Sequence, residues 1–192
     1  MNPVPLLKLD TPRLILRPYA PGDGPLYFQV GQKNRAHLQR FESGNSILAA
    51  RSADEAEKII NEICAAWREG RYFLMAAFDR TGAEFVGQVY VGVANRELPE
   101  YEVGYFVDSA HEGQGYISEA VRAVLTWIFQ DLGAHRVSLR CSDLNLRSRR
   151  VAERCGFILE GHLRENRRDP DGVYSGDLFF GLLRQEFLEQ YA

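Results

Sequence analysis

Residues 112–118 read Glu112-Gly113-Gln114-Gly115-Tyr116-Ile117-Ser118 and lie between an apolar run ending at Val107 and a stretch with helical apolar spacing. Two glycines this close let the backbone turn tightly and approach a ligand. The first N–H groups of the helix that follows carry partial positive charge and have no partner inside the helix. Such a loop can hold a phosphate through backbone donors alone, although a plain glycine-rich helix entry, the preferred reading of the loop by itself, would look the same. It does not fit a dinucleotide fingerprint, because Ser118 stands where the third glycine belongs. It does not fit a P-loop either, because no Lys-Ser or Lys-Thr pair follows the glycines.

Glu102 sits on the run Tyr101-Glu102-Val103-Gly104-Tyr105-Phe106-Val107 that leads into this loop. A carboxylate placed there suits general-base work, although a strand glutamate facing solvent would look the same. Asn145 and Ser148 stand three apart where a helix begins, a spacing that aims both at one ligand or simply caps the helix. Glu165 and Asp177 are further carboxylates able to line a pocket for a cationic amine, but bounding a hairpin is the preferred reading. His37, His111, His135 and His162 are scattered without metal-ligand spacing or an evident carboxylate partner, so no metal and no histidine base is expected. Trp67, Tyr72 and Phe73 fit core packing, and Cys64, Cys141 and Cys155 fit reduced, buried thiols.

The elements that must position these residues follow from periodicity. A strand at Arg13–Arg17 precedes a loop or short helices broken by Pro18, Pro21, Gly22 and Gly24. Ser52 and Glu55 stand at capping-box spacing ahead of an amphipathic helix that carries Ile59, Ile60, Ile63, Cys64 and Trp67 and stops at Gly70. Strands at 72–78, 84–93 and 101–107 suggest a meander. A helix from about Ser118 to Leu132, a strand through Val137, Leu139 and Cys141, a short helix from about Leu146 to Arg154 and a strand at 157–163 come next. The turn Asp169-Pro170-Asp171-Gly172 then leads to a last strand at 174–183. A mixed α/β sheet is the expected fold class, in one domain spanning 1–192.

Composition narrows the partners. The 192 residues are 45% hydrophobic and 26% charged, with 23 basic and 26 acidic side chains interspersed to a net charge of -3. No basic stripe is present, so nucleic acid is not an expected partner. No apolar run approaches the ~20 residues that span a bilayer, and Pro3 and Pro5 interrupt the start, so a cytoplasmic protein without a membrane partner is expected.

Thr11-Pro12-Arg13-Leu14-Ile15-Leu16-Arg17, the block 101–107, the loop from Gly113 to Ala120, and Asn145 with Ser148 and Cys155-Gly156-Phe157 together resemble the RimJ/RimL branch of the GNAT acetyltransferases. These are ribosomal-protein alanine N-acetyltransferases and their kin. The order and spacing match over most of the chain. The resemblance implies a GNAT fold, a mixed, mostly antiparallel central sheet flanked by helices. Acetyl-CoA would lie in a splay between the strand ending Tyr105-Phe106-Val107 and the strand at 137–141.

The pantetheine arm would pair with backbone near Tyr105, Phe106 and Val107, where an N–H also serves the oxyanion. The pyrophosphate would meet Glu112, Gly113, Gln114, Gly115, Tyr116, Ile117 and Ser118, and Asn145 and Ser148 would touch the cofactor. Glu102 would be the base, directly or through water, and Ser148 would position the cofactor or protonate the leaving thiolate. Glu112 and Ile117 depart from the family's loop, and a carboxylate beside a pyrophosphate is unhelpful unless it turns to solvent. The implied acceptor is a primary amine, a protein N-terminal α-amine ahead of a small-molecule amine. A non-catalytic acyl-CoA-binding module is the alternative from another class, and a homodimer is left open.

Overall fold

The computed structural model describes residues 8–168 and 172–191. Eight strands build one sheet: β1 (Leu9–Asp10), β2 (Leu14–Pro18), β3 (Tyr72–Asp79), β4 (Phe85–Asn95), β5 (Glu100–Val107), β6 (Arg136–Ser142), β7 (Ile158–Arg168) and β8 (Tyr174–Leu183). Their spatial order is β1-β2-β3-β4-β5-β6-β8-β7. Every neighbouring pair is antiparallel except β5 and β6. The expected meander is therefore β3-β4-β5, and the parallel step is made through the helix between β5 and β6.

Among the described residues six α-helices flank the sheet: α1 (Gly24–Lys33), α2 (Arg35–Phe41), α3 (Ala53–Arg68), α4 (Tyr116–Gln130), α5 (Leu146–Arg154) and α6 (Arg184–Tyr191). Side chains alternate across each strand, so the two faces of the sheet carry different cores. On one face Val89, Val91 and Val103 pack with Val121, Val124, Leu125 and Ile128 of α4. On the other, Leu74, Ala76 and Phe106 pack with Tyr27 and Val30 of α1 and Ile60 and Ile63 of α3. Trp67 and Phe73 are core residues as expected, stacked with or edged against Trp127 at 5.8 and 5.2 Å. Tyr72 is not, since it is only partly buried and meets Tyr90 at 5.8 Å.

Several boundaries move. The capping Ser52 accepts from Glu55 N–H at 3.2 Å, and α3 begins where expected. Helix α4 starts at Tyr116 rather than Ser118, because Gly115 takes the N-cap in a left-handed conformation. The stretch after Gly24 is two real helices and a 3-10 turn at Ser46–Leu48, and α6 was not anticipated. Its Phe187 stacks on Phe129 at 4.7 Å. Strand β7 runs on to Arg168, past the expected end at Leu163, because its ladder with β8 resumes at Arg167↔Ser175 and Arg168↔Tyr174. Of the expected turn, Asp169, Pro170 and Asp171 lie outside the described residues. Cys141 and Cys155 are buried and Cys64 only partly so.

The feature that positions the site is a parting of strands. β5 and β6 pair only at Glu100↔Arg136, Tyr101↔Val137 and Glu102↔Ser138. Beyond that point β5 continues to Val107 on β4, and β6 continues to Ser142 on β8. The edge of β5 beyond Val103, to Val107, thus faces a gap rather than a neighbour.

Candidate functional site

The glycine loop closes the gap at its far end. Gly113 and Gly115 have φ of 76° and 79°, the left-handed region where a side chain is strained, so both are needed for the bend. Among the described residues, the backbone N–H groups of Gly113 to Ser118 donate to no carbonyl or side chain. They are the open donors of a helix start. Asp108, buried, anchors the near side by accepting from Ala110 N–H at 2.9 Å and pairing with Lys33 at 2.7 Å and Asn34 at 3.1 Å. Burial opposes its charge, yet Lys33 and Asn34 hold its carboxyl below the usual range. On the far side Arg13 grips the loop, donating to Gln114 O at 3.0 Å, pairing with Glu119 at 2.6 Å and lying over the Tyr116 ring at 4.4 Å.

A cavity of about 460 Å³ runs from this loop into the gap, between β5 and α5. Of the residues expected to touch a cofactor, Tyr105, Phe106, Val107, Glu112, Gly113, Gly115, Ile117, Ser118, Asn145 and Ser148 line it. Gln114 and Tyr116 are not part of its wall: Gln114 Nε2 donates to Ala110 O at 3.3 Å, and Tyr116 lies beneath Arg13. Among the described residues the buried Ser118 hydroxyl has no hydrogen-bond partner. Glu112 does not turn to solvent but pairs with Arg147 of α5, with His37 at 3.8 Å. Its charge is therefore answered, and burial holds the His37 imidazole below its ordinary value although Glu112 pulls the other way.

The register shows which amides reach the gap. Asp108 N–H donates to Val86 O at 2.9 Å on β4. By the two-residue alternation of an antiparallel ladder, Phe106 and Gly104 also turn toward β4; the Val103 amide closes the last rung of the β5–β6 ladder at Ser138, and those of Tyr105 and Val107 are left to the gap. Between the two strands the Ser148 hydroxyl donates to the Tyr105 oxygen at 3.2 Å, and Tyr105 donates to Ser148 O at 3.0 Å. Burial raises the Tyr105 phenol, which the Ser148 hydroxyl partly offsets. The Asn145 side-chain oxygen accepts from Ser148 N–H at 3.1 Å, so it does cap α5.

A second cavity, of about 500 Å³, opens on the other side of the gap. Tyr105, Asn145 and Glu42 line both cavities. Glu102 is exposed on this second side and is absent from the first. Asp177, for which bounding a hairpin was preferred, instead lines this cavity, 2% exposed, and is answered by Asn166 at 2.9 Å, Arg167 at 3.4 Å and Arg140 at 4.0 Å. Glu165 stays exposed on β7, with φ of 51°. Three histidines have carboxylate partners that the sequence did not reveal: besides His37, His162 meets Asp143 at 2.9 Å and His111 meets Glu84 at 3.3 Å.

Sequence reasoning missed Glu42, Arg140 and Arg167 on the second cavity and Arg147, Arg150 and Arg154 on the first. The last three recur at i, i+3 and i+7 on one helix, a legible basic face. Glu42 gave no such signal, since it follows α2 in a stretch without periodicity. Burial pushes its carboxyl up to about 7, with Arg140 and Arg167 opposing and Glu102 adding.

Residues 13–158 match the acetyltransferase (GNAT) domain family. The chain is 30% identical to the ribosomal-protein-serine acetyltransferase of Escherichia coli over 141 residues, 73% of this chain and 76% of that protein. It is 45% identical to YjcK of Bacillus subtilis, described as a probable N-acetyltransferase, over 64 residues that span only 35% of that relative. A solved ribosomal L7/L12 α-N-protein acetyltransferase, RimL, in complex with coenzyme A superposes with a TM-score of 0.82. That superposition covers 92% of this chain and 98% of the other at 22% identity, a likeness of fold.

Proposed function

Since the chain belongs to the GNAT acetyltransferase family, we propose that it moves an acetyl group from acetyl-CoA to a primary amine, a protein N-terminal α-amine, by direct attack in a ternary complex. The observation that carries this reading is the meeting of two cavities at the parted strands, one walled by open amides and the other by carboxylates. A protein acceptor is supported by the Escherichia coli relative's name.

In this reading the amides from Gly113 to Ser118 hold the pyrophosphate, and the unpartnered Ser118 hydroxyl finds its acceptor there. Glu112 keeps its charge away from the phosphates by holding Arg147. The split-facing amides of β5 pair with the amide-bearing pantetheine arm as a strand would, and the one beside the thioester donates to the developing oxyanion. Glu102 attracts the cationic amine from the acceptor side and serves its deprotonation through water, as acceptor of the proton or as a station on its path. Ser148 donates to Tyr105 as it stands, so protonating the departing thiolate requires its hydroxyl to rotate away from that bond. Cys141 supplies no competing nucleophile, because burial pushes its thiol up to about 11 and leaves almost no thiolate near neutral pH.

The test is thiol release from acetyl-CoA over a panel of N-terminal peptides and small amines. Turnover with peptides is the expected result, and turnover with small amines alone would replace the acceptor. Coenzyme A binding with no turnover on any amine would overturn the enzyme reading in favour of a binding module.

A further inference from the structure

The geometry points to Glu42 as the terminus of the proton that leaves the acceptor amine, an inference that rests on the acetyl-transfer reading above. Three residues line both cavities, and Glu42 is the carboxylate among them. Glu102 lies at the register of Ser138, where β5 and β6 are still paired, and of the two cavities that meet at the gap it lines the acceptor one and not the other. The amine nitrogen must stand in the gap to reach a thioester held along β5, and that is where Glu42 is.

The contrast with Asp177 sharpens the assignment. Asp177 has Asn166, Arg167 and Arg140 around it. Among the described residues, no side chain lies within hydrogen-bond or ion-pair distance of the Glu42 carboxyl. A partly buried carboxyl left without a partner is costly to keep charged, and it is suited to receive a proton. The groups that bear on it are Glu102 and Tyr105 from β5, Arg140 and Cys141 from β6, Arg167 from β7 and Asp177 from β8. The arginines favour its charged form, Glu102 disfavours it, and burial dominates, so it titrates near neutrality.

The step balances. The acceptor ammonium gives one proton, through the water at Glu102, to the Glu42 carboxylate and becomes a free amine. The amine nitrogen forms a bond to the thioester carbon, the carbon–sulfur bond breaks, and the sulfur leaves with the electron pair. The second proton shed by the new amide nitrogen ends on that sulfur, giving the free thiol. Glu42 then returns its proton to solvent through the acceptor cavity.

The experiment is the pH dependence of kcat/KM toward a peptide acceptor, at saturating acetyl-CoA, for the wild type, Glu42→Gln, Glu42→Asp and Glu102→Gln. Coenzyme A affinity is measured alongside by calorimetry. The wild type is expected to lose activity below about pH 7. Glu42→Gln is expected to fall roughly 100-fold at pH 7 and under tenfold at pH 9.5, where the amine needs no acceptor for its proton. Coenzyme A affinity should hold within about twofold, and Glu42→Asp should restore part of the rate. Glu102→Gln should move the acid limb to lower pH without erasing it, because the charge that disfavours ionised Glu42 is gone.

A Glu42→Gln profile that superimposes on the wild type, or a limb erased by Glu102→Gln instead, overturns the assignment while leaving acetyl transfer standing. A wild type that binds coenzyme A and releases no thiol with any acceptor removes both.

Discussion

The cofactor side and the acceptor side of the gap are built from different materials. The first is backbone: two left-handed glycines, a helix start and an unpaired strand edge, with side chains such as Arg13, Asp108 and Glu119 serving mainly to hold the loop still. The second is side chains brought from separate segments, Glu42 after α2, Tyr72 and Tyr90 on the meander, Arg140 on β6, and Arg167 with Asp177 on the hairpin. Backbone donors tolerate almost any substitution that preserves φ, whereas a side-chain wall can be rewritten one residue at a time. One side can therefore keep a common ligand while the other changes its acceptor.

Substitutions can break that division, and the largest effect should come from the loop. Replacing Gly113 and Gly115 together by valine forces two branched residues into left-handed φ at roughly 1–2 kcal/mol each. Flattening of the loop should then weaken coenzyme A binding about 100-fold in calorimetry, a loss of the size that 2–4 kcal/mol allows.

On the acceptor side Glu42→Gln should act on stability as well as rate. The folded-state carboxyl is raised from 4.5 to about 7, so the folded protein binds the extra proton between those values, and stability falls as pH rises through that window. Urea melts should show the variant about 2–3 kcal/mol more stable than the wild type at pH 8 and no different near pH 4.

Glu102→Gln should cost about tenfold in kcat/KM near neutral pH and less at high pH, with coenzyme A affinity unmoved; an equal loss at every pH would remove Glu102 from the proton path. Tyr105→Phe deletes both hydrogen bonds with Ser148 and should lower kcat about fivefold, in line with roughly 1 kcal/mol. The smallest effect belongs to Glu112→Gln, which frees Arg147 and should tighten coenzyme A by about threefold or less, since half-exposed ion pairs contribute under about 1 kcal/mol. A large gain there would show that side chains, not amides, dominate the cofactor side.

The same division explains what could be read from residues alone. Glycine spacing, strand alternation and helix periodicity are local, so the loop, the meander, α3, α4 and α5 were legible, with end points shifted by capping at Gly115 and by ladder pairing on β7. Asn34 and Glu42 were not, because each matters only through segments far along the chain: Asn34 ties α1 to Ser109 at 3.0 Å, and Glu42 reaches a gap made by β5 and β6. Asp177 was assigned to a hairpin edge because its three polar neighbours converge only after β6, β7 and β8 have assembled.

Three rungs at one end, Glu100–Arg136, Tyr101–Val137 and Glu102–Ser138, are the ladder joining the five-strand leaf β1–β5 to the three-strand leaf β6-β8-β7. A sheet bound along so short a spine can change its opening angle without breaking ladder bonds, since none cross the rest of the seam. Deuterium should enter the Tyr105 and Val107 amides quickly in the ligand-free protein, and the Val103 amide, held by the last rung, more slowly. It should be excluded once a chain bearing its own amides fills the seam and turns two leaves into one page.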